Sequence, residues 1–343
     1  MKILIIRFSS IGDIVLTTPV VRCAKLQLGA EIHFLTKKSF TSVVQNNIYI
    51  DKIFAIQENI NEVKTALQAE NYDCVIDLHG NLRSLQVKRF LKAKSYTFDK
   101  INIHKWLITN LKINILPNKH IVERYLECVA NLGIKNDFEG LDYFIPSKDE
   151  VSISEIFDKS TVFSSIYNNF NVKNDANSKQ YIAFVIGAAH ATKRLPAEKI
   201  IEICKKINQP IVLLGGKEET TIGERIAKEA GVHVINTCGQ YNLNQSASIV
   251  KQSTCVITHD TGLMHIAAAF QKKIISIWGN TIPAFGMYPY FSKEIKNNIS
   301  IEVKNLACRP CSKIGHDACP KGHFNCMNQI DVEEVAAAVL RLV

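Results

Sequence analysis

Two short polar turns hold the residue types in this chain that could do chemistry. The later one is Asp260-Thr261-Gly262, within the run Thr258-His259-Asp260-Thr261-Gly262-Leu263-Met264-His265-Ile266-Ala267-Ala268-Ala269. It follows the apolar Cys255-Val256-Ile257 and leads into small residues, the pattern of a strand ending where a helix begins. In parallel α/β folds ligands bind at such points. The free N–H groups and positive dipole end of the helix suit a phosphate there. Gly262 lets the backbone approach a ligand closely, while Asp260 and Thr261 can cap the helix. Capping alone would use the same residues; His265, one turn further on, and a matching turn near the N-terminus favour a ligand site.

That earlier turn is Ser9-Ser10-Ile11-Gly12-Asp13, after the apolar stretch Lys2–Phe8. It lacks the three spaced glycines of a dinucleotide fingerprint, which disfavours a nicotinamide dehydrogenase. It instead sets two hydroxyls and a carboxylate at a helix start, where the dipole stabilises Asp13 as the anion. An ionised carboxylate facing a cleft can accept a proton from an attacking hydroxyl. Helix capping is again the competing reading.

A third constellation is Cys308-Arg-Pro-Cys311 followed by Cys319-Pro-Lys-Gly-His323-Phe-Asn-Cys326, four cysteines and a histidine in 19 residues. The first pair has the spacing of a structural zinc site and the second is looser. Structural zinc on Cys308, Cys311, Cys319 and Cys326 is one reading; free or partly disulfide-bonded thiols are the other. A closed thiolate site leaves no open position for catalysis. The remaining six of the ten cysteines sit in apolar contexts, as small core residues do.

The elements that must position these turns alternate regularly. Strands are expected at Lys2–Phe8, Glu31–Thr36 and Asp73–Asp77, with helices over Ile11–Leu28 (Pro19 marking a bend or second start) and Asn61–Glu70. After residue 180 the rhythm restarts: strands Tyr181–Ile186, Ile211–Leu214, Val232–Ile235, Cys255–Ile257 and Ile274–Trp278, and helices Pro196–Lys206, Thr220–Ala230, Leu243–Lys251 and Val332–Leu342. Such alternation argues for parallel sheets with right-handed crossovers. Residues 147–180 are rich in Ser, Asn, Asp and Lys and read as an interdomain region. The expected organisation is a first domain over 1–165, a linker over 166–180 and a second domain over 181–343, with the last helix free to pack back on the first. Two doubly wound domains would then face a central cleft, the natural ligand site.

At 343 residues and 47% apolar content the chain can bury two cores. The N-terminal apolar run, Ile3–Ile6, is too short for a signal peptide, no segment has the roughly 18 apolar residues of a membrane span, and the expectation is a cytoplasmic protein. The net charge is +9. Between Leu82 and Arg124 stand ten Lys and Arg against only Asp99 and Glu123, a net +8 and nearly the whole excess. A field that concentrated attracts phosphorylated sugars, acidic lipid headgroups or nucleic acid. A solvated basic face is the plainer alternative. Nucleic acid is not expected as a partner, because the aromatics of this stretch show no regular stacking pattern.

Taken together, Arg7-Phe8-Ser9-Ser10-Ile11-Gly12-Asp13-Ile14-Val15 and Asp260-Thr261-Gly262-Leu263-Met264-His265-Ile266-Ala267-Ala268 resemble the ADP-heptose:lipopolysaccharide heptosyltransferases, glycosyltransferase family 9. So do Asn71–Gly80 and Gly187–Pro196, the latter with Lys193-Arg194-Leu195-Pro196, and the cysteine cluster resembles runs found in part of that family. The resemblance implies a GT-B fold, an α/β architecture of two Rossmann-like domains with the acceptor in the first and the nucleotide-sugar in the second. It implies inverting transfer of a sugar, with no metal required for catalysis. On this reading Asp13 is the general base. Thr192, Lys193, Glu218, Asp260, Thr261, Gly262 and His265 bind the donor, Glu219 fitting nearly as well as Glu218. Ser10, Gly12, Arg83, His120 and Arg124 bind the acceptor. The implied partners are a nucleotide-sugar, ADP-heptose by resemblance, and an anionic glycolipid of lipopolysaccharide biosynthesis, met through peripheral contact with the inner membrane surface. Gly187-Ala188-Ala189-His190 offers no hydroxyl before Thr192, which leaves the donor sugar and base open. Two other readings remain at this point: a nucleotide-sugar epimerase on the same architecture and a zinc-bearing nucleic-acid binder.

Overall fold

Ile3–Ile6 are apolar on both faces and wholly buried, as a central parallel strand flanked by helices must be. The computed structural model describes residues 1–158 and 180–343. In chain order its strands are β1 Lys2–Ile6, β2 Glu31–Lys37, β3 Lys52–Ile56, β4 Cys74–Asp77, β5 Lys94–Thr97, β6 Ile182–Val185, β7 Ile211–Leu214, β8 Val234–Asn236, β9 Cys255–His259, β10 Lys273–Trp278 and β11 Asn298–Glu302. They form two wholly parallel sheets, β3-β2-β1-β4-β5 and β11-β10-β9-β6-β7-β8. Counted within each unit, both follow the 3-2-1-4-5 winding, the second with a sixth strand. The order reverses between β1 and β4 and between β6 and β9, where ligands bind in doubly wound sheets.

The helices that matter to the site are α1 Ile11–Val15, α2 Thr18–Leu28, α3 Leu82–Leu91, α4 Asn102–Trp106, α5 Ile121–Val129, α6 Ala197–Lys206, α7 Thr220–Ala230, α8 Leu243–Gln252, α9 Gly262–Ala269 and α10 Val332–Leu342. The helix expected over Ile11–Leu28 breaks in two, with Pro19 in the first turn of α2, where its missing N–H costs nothing. The strands β3, β5 and β11, absent from the sequence reading, are all sheet edges. In β5 only Tyr96 is buried among Lys94, Ser95 and Thr97, so no alternation announces it.

One apolar cluster joins the two units, running from Ile3, Ile5 and Tyr125 to Ala183, Met264 and Trp278. The polypeptide after α5 crosses the seam. Asp149 accepts from Asn242 and Asn244, Val151 donates its N–H to Ser248, and Glu150 pairs with Lys251, so residues 149–151 pack on α8 of the second sheet. The expected boundary at 165 and linker residues 166–179 lie outside the described residues. The helix α10 does not return to the first unit but packs on α6, β10 and β11 of its own, burying Val335, Ala336, Ala338 and Val339 in the second unit's core. Among the described residues no helix is long and apolar enough to cross a membrane.

Candidate active site

Asp13 follows β1 and Asp260 follows β9, each at its sheet's switch point, and the helices they open meet face to face. A Cβ built on Gly12 would lie 2.5 Å from His265 Cδ2, and one on Gly262 would lie 2.6 Å from Ile11 Cγ2. The two turns singled out in the sequence are therefore in direct contact across the seam.

On the first side, Asp13 is held from two directions. Arg7 Nη2 lies 2.6 Å from Asp13 Oδ1, and Ser10 donates to Oδ2 through Oγ at 2.8 Å and through its N–H at 3.3 Å. Burial works against the charged carboxylate, but the Arg7 guanidinium and the Ser10 donors outweigh it and hold Asp13 below the usual carboxylate range. Arg7 is itself buried. It donates to the carbonyls of Ser9 and Leu78 and to the Tyr125 hydroxyl, which leaves one face of its fork for Asp13. Arg7 has no role assigned from the sequence, where its one signal is an arginine ending an apolar strand run.

Four further cations gather here: Lys100 and Lys105 are attracted by Asp13, and Lys105 is repelled by Arg124, Lys313 and Lys100. Arg124 is buried and donates to the Phe285 carbonyl at 3.1 Å, yet its Nε and Nη1 find no partner among the described residues. A buried guanidinium with two unmatched donors is costly unless an anion completes it. Lys105 is pushed down to about 8, chiefly by burial and then by Arg124. Lys100 and Lys105, which the fold brings to Asp13, and Lys313, which it brings to those two lysines, carry no local signal in the sequence.

The other predicted acceptor residues divide. Ser10 and Gly12 lie at the seam. Arg83 stacks over the Phe8 ring at 5.5 Å and lines a cavity of about 640 Å³ with Lys64, Arg89 and Glu58. His120 does not reach the cavity: it is enclosed, bonded to the Tyr288 carbonyl at 2.8 Å and to the Val122 N–H, and packed on the Tyr288 and Tyr290 rings. Burial pushes it down to about 3, so it stays neutral. It joins the two units and offers no charge to a ligand.

On the second side, Lys193 Nζ lies 2.7 Å from Asp260 Oδ2, which also accepts from the Thr281 hydroxyl at 2.9 Å. Thr281 went unnoticed in the sequence, nineteen residues beyond Gly262. Thr261 is the N-cap of α9 but no side chain among the described residues caps this helix, so its first N–H groups remain for an anion. His265 is buried, its Nδ1 without a partner among the described residues. Burial pushes it down to about 4 despite Asp260 and Asp13 nearby, so it faces both carboxylates as a neutral imidazole.

Two donor assignments are placed differently from the sequence expectation. The Thr192 hydroxyl is already used, accepting from the His316 N–H at 2.8 Å and donating to its carbonyl at 3.1 Å; it pins the cysteine loop beside Lys193. Glu218 projects into solvent near Arg194, whereas Glu219 turns inward, accepts from the Gly216 N–H at 2.9 Å and lies against Gly187. Glu219 is thus the inward carboxylate at the ends of β6 and β7.

The four thiols lie in one loop, near enough that Cys326 feels the charge of the other three. Tetrahedral coordination at about 2.3 Å per sulfur brings ligand atoms within roughly 4 Å of one another. Among the described residues only Glu31, His33 and Glu70 group three ligand atoms within 4.8 Å, and Lys2 and Lys52 occupy those carboxylates at the opposite end of the sheet. Cys308 Sγ lies 3.8 Å from His323 Nε2. Burial, and then the neighbouring thiols, push Cys311 and Cys326 up.

A family profile described as glycosyltransferase family 9 (heptosyltransferase) matches residues 60–318, three quarters of the chain and the whole Asp260 turn. Lipopolysaccharide heptosyltransferase 1 of Campylobacter coli is 26% identical over 88% of each chain. Among solved structures, a family 9 glycosyl transferase of Veillonella parvula superposes with a TM-score of 0.73 at 18% identity, covering 99% of this chain and 96% of that one. The E. coli heptosyltransferase WaaC with ADP gives 0.68 at 22% identity over all of both chains. The fold is thus that of the GT-B heptosyltransferases. With the profile spanning most of the sequence, the chain belongs to glycosyltransferase family 9, the heptosyltransferases.

Proposed function

We propose that this enzyme transfers a heptose from ADP-heptose to an anionic, lipid-linked glycan acceptor of lipopolysaccharide core assembly, with inversion at the reacting carbon. The observation that carries the reading is the meeting of the two turns: a clamped, ionised Asp13 faces the uncapped α9 start and the Lys193–Asp260 pair across one seam. The family membership removes the epimerase and nucleic-acid alternatives.

Cleaving a glycosyl–phosphate bond builds negative charge on the departing diphosphate. Lys193 and the α9 N–H groups supply a preorganised positive field for it, so the reading requires no metal. Asp13 takes the proton of the attacking acceptor hydroxyl, and its position on the other unit puts attack on the face away from the leaving group. His265, neutral between Asp13 and Asp260, separates the two carboxylates without adding charge. Arg124, with its two unmatched donors, and Lys105 and Lys100 receive the acceptor's phosphates or carboxylates. We place the reaction at the cytoplasmic face of the inner membrane, where such an acceptor meets the basic first unit.

A thermal-shift panel tests the donor. A ligand that binds only the native state adds about 2.7 kcal/mol at a hundredfold excess over its dissociation constant. ADP and ADP-heptose should raise the melting temperature while UDP, GDP and CMP leave it unchanged. A shift with UDP or GDP alone would replace the donor, and no shift with any nucleotide would sink the reading.

The acceptor side carries a pH prediction. Lys105 is protonated below about 8 and neutral above it, so the positive charge that attracts an anionic acceptor is present below that pH and lost above it. The acceptor kcat/KM should fall as pH rises through about 8. In the kcat profile the limb should move higher, because a bound anion favours the protonated lysine. Lys105→Arg should remove the limb from both profiles; a limb that survives this change assigns it to another group.

A further inference from the structure

Of the fourteen large apolar side chains exposed among the described residues, five fall within thirteen consecutive positions: Ile103, Trp106, Leu111, Ile113 and Ile115. Each is at least half exposed, and Ile314, from the cysteine loop of the other unit, matches them. On α4, Ile103 and Trp106 share one side at helical spacing. Lys105 and the buried Ile108 fall on the opposite side, facing the protein. The apolar face is therefore turned outward by the same periodicity that seats the segment.

Its surroundings are basic. No acidic residue occurs between Asp99 and Glu123, a stretch holding Lys100, Lys105, Lys112 and Lys119. The projection is also braced. Lys112 Nζ donates to the carbonyls of Cys308 at 3.2 Å and Pro310 at 2.7 Å, so the segment is tied to the cysteine loop that carries Lys313 and Ile314. Tryptophan, isoleucine and leucine beside lysines, with no acid among them, match the headgroup–acyl boundary of an anionic bilayer. Each lysine near such a surface contributes about 1 kcal/mol.

We infer that residues 102–115, with the neighbouring tip of the cysteine loop, form a membrane-docking projection that inserts Ile103, Trp106 and Ile113 into an anionic lipid surface and so brings Asp13 to its lipid-linked acceptor. This deepens the reading above by naming the surface that meets the bilayer, and it rests on that reading only for the word acceptor. Lys105, which belongs to the projection, and Lys100 beside it both feel the Asp13 charge, so the projection adjoins the cations assigned to the acceptor.

The chain has two tryptophans, and Trp278 is fully buried, which makes Trp106 a selective reporter. Vesicles of phosphatidylcholine containing phosphatidylglycerol should co-sediment with the full-length enzyme and shift its tryptophan emission to the blue; phosphatidylcholine alone should do neither. The triple variant Ile103→Ser, Trp106→Ser, Ile113→Ser should lose at least tenfold in vesicle affinity. It should keep its melting temperature, its ADP shift and its turnover of a water-soluble, delipidated acceptor. The single variant Trp106→Phe keeps insertion but removes the emission change. Vesicle binding needs neither donor nor turnover, so its failure is separable from failure of the proposed reaction. Equal vesicle affinity of wild type and triple variant, an unshifted Trp106 emission, or a wild-type dimer that the triple variant converts to monomer would each overturn the inference.

Discussion

Asp13→Asn is expected to lower kcat by about a thousandfold, within the 10² to 10⁴ range over which a positioned general base acts, while leaving ADP binding intact. The amide has the size of the carboxylate and can still accept from Ser10, so the turn keeps its shape. What disappears is the basic oxygen and the counter-charge of Arg7. Arg7 is buried, and a buried charge stripped of its partner is destabilising; here the carbonyls of Ser9 and Leu78 and the Tyr125 hydroxyl remain to receive its donors, so a lowered melting temperature with a folded enzyme is expected. Steady-state transfer with ADP-heptose, read beside the ADP-induced thermal shift, checks this. Because Asp13 is held below the usual carboxylate range, the wild-type acid limb should also lie below the ordinary aspartate region, and the asparagine variant should show no acid limb from this group. A folded variant that no longer binds ADP, or one that keeps wild-type kcat, would remove Asp13 from the role of base.

The strand–turn–helix placement of both motifs was legible because it rests on local chemistry: apolar runs of strand length, then small and polar residues at helix starts. Central strands such as β1 and β9 announce themselves, being apolar on both faces. Of the edge strands, β8 was legible, but β3, β5 and β11, which are half solvated and carry mixed residues, were not. The site divides along the same line. Asp13, Lys193 and Asp260 could be named from motifs, but Arg7, Thr281 and the cations Lys100, Lys105 and Lys313 act through distances between sequence positions far apart. His120 and Thr192 show the converse. Their residue types suit ligand binding, yet tertiary contacts with Tyr288 and His316 already use the atoms a ligand would need.

The second large effect concerns Gly262, for which the sequence and the structure offer different reasons. At the start of α9, a glycine lets the backbone approach a diphosphate. Across the seam, the same residue lets α1 approach α9, since a Cβ there would sit 2.6 Å from Ile11 Cγ2, 2.8 Å from Ile11 Cβ and 3.3 Å from the Gly12 nitrogen. Contacts under 3 Å with a side chain fixed in a seam force something to move, and either unit can satisfy its own core while backing away from the other. Gly262→Ala should therefore hold the two units apart by a fraction of an ångström to an ångström. Misplacement on that scale costs about a hundredfold in rate, because Asp13 rides on one unit and the donor groups on the other. The affinity for ADP, read by calorimetry, should change little, and adding Ile11→Ala should recover part of the rate by removing the shortest contact. Had the glycine been needed only for the phosphate, the outcome would invert: ADP affinity would collapse and Ile11→Ala would restore nothing. Gly12→Ala, whose Cβ would meet His265 Cδ2 at 2.5 Å, strikes the same seam from the opposite side without touching the α9 N–H groups. A matching loss of kcat with ADP binding preserved would therefore assign the effect to the meeting of the two units.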